Sequence, residues 1–69
     1  MGALDKCKKK LTSREFEILR EIIHGLSNKE ISNKFKISNN TVKAHLKNIY
    51  KKLGVRNRWE LITQFYRED

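Results

Sequence analysis

The stretch LSNKEISNKFKISNNTVKAHLKNIYKKLGV, residues 26–55, carries two helix starts and a helix stop. Its opening residues set Ser27 as an N-cap, with Glu30 three places on and Leu26 and Ile31 flanking them as a hydrophobic staple. Ile37-Ser38-Asn39-Asn40-Thr41-Val42 keeps the Ser cap and the staple but has Thr41 where the Glu would stand. Gly54 can take the left-handed conformation that ends a helix. Lys51 and Lys52 precede it, where the helix dipole favours cations. The reading is a short helix over 28–35, a turn through Phe35-Lys36-Ile37-Ser38, and a longer helix over 39–53.

The same pattern extends outward in both directions. Upstream, Leu11-Thr12-Ser13-Arg14-Glu15-Phe16 has a Thr cap, a Glu three residues on and apolar flanks, and Gly25 closes a helix over 13–24. Downstream, Asn57-Arg58-Trp59-Glu60-Leu61 has the cap and the Glu without an apolar residue in front, and starts a helix over 58–67. Four capped starts in 69 residues predict an all-α, four-helix fold with a helix-turn-helix arrangement at its centre. The expected core takes Phe16, Leu19, Ile22, Ile23 and Leu26 from the first helix and Ile31 and Phe35 from the second. The third adds the stripe Val42, Leu46, Ile49 and Leu53, and the fourth adds Leu61, Ile62 and Phe65, with Ile37 and Val55 between. Residues 1–10 have no apolar period and read as a flexible basic arm or linker, so the folded domain is 11–69.

Charge narrows the function. Sixteen Lys and Arg against eight Asp and Glu give a net charge of +8, and residues 38–58 hold six of the basic groups and no acidic one. A surface that only maintains solubility mixes its signs, so this window points to a polyanion. No run approaches the roughly 18 apolar residues of a membrane span, and the N-terminus lacks the apolar stretch of a secretory signal, so a cytoplasmic protein is expected. The single cysteine, Cys7, excludes a disulfide framework, has no His at a metal-like spacing and reads as an incidental thiol. No Ser/His/Asp or Cys/His constellation can be assembled, and Glu15 and Glu30 are explained as capping residues. Neither an enzyme nor a metal or cofactor site is expected.

At 100° per residue, the apolar stripe of helix 39–53 lies within about 60° of arc. The opposite face shows Asn40, Lys43, Ala44, Lys47 and Lys51, with Asn48 at its edge and Thr41, His45 and Lys52 along one flank. Lysines on an outer face usually do no more than solvate it. Here they coincide with a helix-turn-helix layout and a long window without acids. Lys can donate to guanine O6 and N7, Asn can pair with the adenine edge, and Ala44 allows close approach beside a thymine methyl. The start of helix 28–35 would bring Ser27, Asn28 and Lys29 to the phosphate backbone as amide donors and a cation. His45 suits either a phosphate contact or packing, and His24 suits the C-terminal dipole of the first helix. Trp59 and Tyr66, seven residues apart on one face, either close an end of the core or contact a second copy.

The run resembles the LuxR-type (NarL/FixJ-type) helix-turn-helix domain of bacterial transcription regulators over about residues 11–66. The matching motifs are Leu-Thr-x-Arg-Glu, Ser-Asn-Lys-Glu-Ile, Thr-Val-Lys-x-His and Lys-Leu-x-Val-x-x-Arg, in order. The resemblance implies sequence-specific binding of double-stranded DNA by a homodimer on a pseudo-palindromic site, with the third helix in the major groove. It makes Lys43, Ala44 and Lys47 base-facing, and Asn40 on the same face joins them. Asn28, Lys29, Thr41 and His45 become backbone-contacting or supporting positions, to which Ser27 and Lys51 are added. Trp59, Ile62 and Tyr66 become the dimer contact. Two positions depart from the family pattern. Ser32 stands where Ala is usual, and Lys36 occupies a turn better suited to Gly, Asn or His, where mild strain is expected.

The expected partners are duplex DNA, a second copy and, for the output domain of a regulator, RNA polymerase, with no membrane and no small-molecule ligand. The alternatives are a sigma-factor-like promoter-binding domain, disfavoured by the segment after helix three, and a basic protein-interaction module. A basic membrane-surface helix is weaker still, because the apolar face of helix three is needed for the core.

Overall fold

Capping chemistry sets the helix starts. The computed structural model describes residues 10–66, apart from the side chain of Tyr66. Cys7, most of the expected basic arm and the Tyr66 side chain lie outside the described residues. The helices are α1 (Ser13–Ile23), α2 (Asn28–Phe35), α3 (Asn39–Leu53) and α4 (Arg58–Tyr66). At α1, Thr12 Oγ1 accepts from the Glu15 amide at 3.1 Å while Glu15 Oε1 accepts from the Thr12 amide at 2.9 Å. Ser27 and Glu30 repeat this reciprocal box at α2, at 3.2 and 2.8 Å. At α3, Ser38 Oγ accepts from the Thr41 amide at 3.0 Å, and the two hydroxyls lie 2.9 Å apart, so Thr41 meets the cap's hydroxyl and the box is not reciprocal. At α4, Asn57 Oδ1 accepts from the Glu60 amide, but Glu60 reaches back to the amide of Arg56 rather than to the cap itself.

The exits of the first three helices are alike. Amides of Leu26, Ile37 and Val55 bond the carbonyls of Glu21, Ser32 and Tyr50, each five residues back, at 3.0 Å. This closure needs a left-handed residue just before it. Gly25 (φ 97°), Lys36 (φ 56°) and Gly54 (φ 72°) supply it, so Lys36 takes a positive φ that a non-glycine residue adopts infrequently. Ser32, which is buried, donates its hydroxyl to the Lys29 carbonyl at 2.8 Å and leaves no polar atom unpaired in the core.

α3 packs against both α1 and α2, and α4 packs against α1. The buried core comprises Leu11, Ile18, Leu19, Ile22, Ile31, Val42, Leu46, Ile49, Leu61 and Phe65. This corrects the expected face of α1. Ile18 is fully buried, whereas Phe16 and Ile23 are only partly so. The reason is that α1 meets two helices, which widens its buried arc to take in Ile18 and Glu15. Phe35 is also partly buried, with the Arg14 guanidinium 4.7 Å from its ring centroid as a cation–π cover.

Candidate nucleic-acid interface

The exposed face of α3 is set by what its other face buries. Val42, Leu46 and Ile49 are buried, so the 3.6-residue period turns Asn40, Lys43, Ala44, Lys47 and Lys51 outward, all exposed. α3 has no acidic residue in its first turn and carries Lys51 and Lys52 in its last. His45 is half-buried on the flank, and Thr41 is exposed with its hydroxyl against Ser38.

Lys52 departs from the rest of the cationic set. Its ammonium donates to Glu15 Oε1 at 2.7 Å, joining the end of α3 to the start of α1. Burial raises the Glu15 pKa, but the bonds from Lys52 and Thr12 outweigh it and hold the carboxyl below its usual value. Glu15 is therefore both a cap and an ion-pair anchor, which corrects its reading as a capping residue alone. Glu21 likewise binds Lys34 at 2.6 Å, its carboxyl lowered chiefly by that bond, and His24 Nδ1 lies 3.6 Å from it.

The start of α2 also differs from expectation. The Ser27 amide, expected as a phosphate donor, is used by Glu30 within the capping box. Asn28 offers its side-chain oxygen to Arg58 Nη1 at 2.7 Å, and Arg58 Nη2 donates to the Leu26 carbonyl. The side-chain amide nitrogen of Asn28 is then the donor left to point elsewhere. Lys29 is exposed beside it. Sequence reasoning missed the role of Arg58. The arginine was visible at the end of the Lys-Leu-x-Val-x-x-Arg motif, but its partners lie about 30 residues away in the chain.

Trp59 is 73% exposed, so it does not close the core; Ile62 beside it is half-buried. Of the three residues expected to contact a second copy, Trp59 faces outward, Ile62 packs partly against the core, and the Tyr66 side chain lies outside the described residues. Among the described residues no group of three or more His, Cys, Asp or Glu is placed to hold a metal, and no helix is long and apolar enough to cross a membrane.

A sequence model of bacterial regulatory proteins, luxR family, matches residues 9–65. The chain is 56% identical over 52 residues to the Fimbriae Z protein of Escherichia coli (strain K12), covering 75% of this chain and 25% of that relative. It is 50% identical over 48 residues to the nitrate/nitrite response regulator protein NarP of the same organism, covering 70% and 22%. To the HTH-type transcriptional regulator MalT of Yersinia pestis (strain Pestoides F) it is 42% identical over 57 residues, covering 83% and 6%. The chain thus spans a quarter or less of the length of these relatives.

Proposed function

The chain belongs to the luxR family of bacterial regulatory proteins, and from that premise we propose that it reads a specific double-stranded DNA sequence with α3 in the major groove. One observation carries the reading. A helix anchored by Val42, Leu46 and Ile49 turns out a face of Asn40, Lys43, Ala44, Lys47 and Lys51 without a carboxylate. Lys43 and Lys47 donate to base edges, Asn40 reads a neighbouring base, and Ala44 admits close approach. Lys29, the Asn28 amide, Thr41, His45, Lys51 and the Ser27 hydroxyl meet phosphate.

Two copies bind a pseudo-palindrome in successive major grooves, with half-sites about one helical turn apart. Exposed Trp59, beside half-buried Ile62, supports α4 as the contact between copies, to which Tyr66 is added from its spacing in the sequence. The chain acts as the DNA-binding unit of a transcription regulator, in the bacterial cytoplasm and without catalysis, and contact with RNA polymerase follows from that role.

The test is selection of sites from a random duplex pool at about 150 mM salt, where non-specific binding is weakened. Enrichment of an inverted repeat with one-turn spacing is the expected result. Lys43→Ala and Lys47→Ala then relax sequence preference, whereas Lys29→Ala weakens all duplexes alike and lowers the salt slope by about one unit. Trp59→Ala weakens full sites and leaves half-sites unchanged. Failure to enrich any sequence, with binding to an acidic protein that duplex DNA does not displace, would overturn the reading in favour of a protein-interaction module.

A further inference from the structure

A helix about 10–12 Å across fills a major groove about 12 Å wide, so both of its flanks come near a sugar–phosphate wall. On α3, one flank carries Thr41 and His45. The other is formed by Lys43 and Tyr50, with Lys43 about 160–200° around the helix from the first. Beside this second flank lies a recess of about 410 Å³ lined by Lys43, Leu46, Lys47, Tyr50 and Arg56. Arg56 reaches it from the α3–α4 loop, nine residues beyond Lys47 in the chain, and no carboxylate lines it among the described residues.

The loop holds Arg56 in a defined place. On one side, left-handed Gly54 and the Val55 amide bond to the Tyr50 carbonyl close α3. On the other, the Arg56 amide donates to Glu60 Oε1 at 2.8 Å, Asn57 caps α4 and Arg58 is tied to Asn28 and Leu26. The backbone is braced while the Arg56 side chain is 90% exposed, with its Nε 4.0 Å from Glu60 Oε2. An exposed guanidinium on a braced loop suits a phosphate, which it can engage with two parallel hydrogen bonds. Burial pushes the Tyr50 phenol up, partly offset by the nearby Arg58 charge, so it stays protonated and can donate.

We propose that Arg56, with the Tyr50 hydroxyl beside it, binds a DNA backbone phosphate on the strand opposite the one that Thr41 and His45 face, so that α3 is clamped from both walls of the groove. This inference rests on the DNA-binding reading above and adds a contact outside the helix-turn-helix itself.

The test uses the whole chain and two probes, the duplex recovered by selection and a random-sequence duplex of the same length. Affinity is measured as a function of salt between about 50 and 200 mM. Arg56→Ala lowers the slope of log affinity against log salt by about 0.9 on both probes, without changing base preference. Arg56→Lys keeps that slope, because the charge remains. Glu60→Gln keeps an acceptor for the Arg56 amide but removes the competing charge, and tightens binding about twofold. Since the Arg56 side chain is exposed, melting temperature stays at the parent value in the Arg56 variants. An Arg56→Ala variant that retains the parental slope would overturn the inference alone. A changed preference at one base would overturn it by making Arg56 a base reader. Failure of the parent to bind either duplex at any salt would overturn the DNA-binding reading and this inference with it.

Discussion

The starts of α1 and α2 are written in the same local code and end in different surroundings. Thr12 with Glu15 and Ser27 with Glu30 each make a reciprocal box with bonds of 2.8–3.2 Å. Glu30 remains exposed, its carboxyl lowered by the Ser27 backbone and side-chain bonds. Glu15 is buried, and its Oε1 also receives the Lys52 ammonium from the far end of α3. One carboxylate holds a single helix turn. The other also fixes how the proposed DNA-reading helix lies on its support. Identical capping motifs therefore do not have identical energetic weight.

The largest expected effect breaks this comparison at its strong side. Glu15→Ala should cost about 2 kcal/mol of unfolding free energy, from the lost cap bond and the lost charge-assisted bond to a partly exposed lysine. Glu30→Ala should cost clearly less, because only the cap bond of an exposed carboxylate is lost. Equal losses in urea melts would show that Lys52 adds nothing at Glu15. A double-mutant cycle of Glu15→Gln with Lys52→Met should isolate a coupling of about 1 kcal/mol, and the cycle of Glu30→Gln with Lys52→Met should give none within error.

The pH dependence sharpens the same point. A carboxyl whose pKa is lowered in the folded chain contributes stability above its unfolded value, and that stability disappears as pH falls through the folded value. The parent should therefore lose stability as pH drops below the ordinary glutamate value of 4.5. Glu15→Gln should start less stable at neutral pH and lose less over that descent. Parallel curves for parent and variant would sink the assignment.

α2 supplies a further, smaller local test. Its exit uses Lys36 in the left-handed region, where α1 and α3 have Gly25 and Gly54 beside their ends. Lys36→Gly should stabilise the chain by up to about 1 kcal/mol, read as a higher melting temperature. No gain, or a loss, would mean that the Lys36 side chain makes a favourable interaction worth as much as the relieved strain.

The limits of sequence reading follow from the range of the forces involved. Capping boxes and left-handed exits involve residues three to five apart, so Thr12, Ser27, Ser38, Gly25, Lys36 and Gly54 could be identified from their immediate neighbours. The same short range gave α3 its buried stripe and its outward set of Asn40, Lys43, Ala44, Lys47 and Lys51, because a helical period depends on nothing beyond the helix. Ile18 is absent from the expected core because the width of a buried arc depends on how many helices press on α1. Trp59 had two readings because a stripe on α4 does not itself say whether a neighbour covers it.

By itself, then, the sequence determined where each helix begins and which side of α3 is cationic, through contacts within one or two helical turns. Only the tertiary structure decided that Glu15 meets Lys52 across 37 positions, that Arg58 reaches Asn28 across 30, and that Arg56 comes to lie beside Lys43 and Lys47. Those pairings exist because burying the shared core fixes the crossing of the helices. Side chains with no local relation are then held within hydrogen-bond reach, at positions that no spacing rule along the chain specifies.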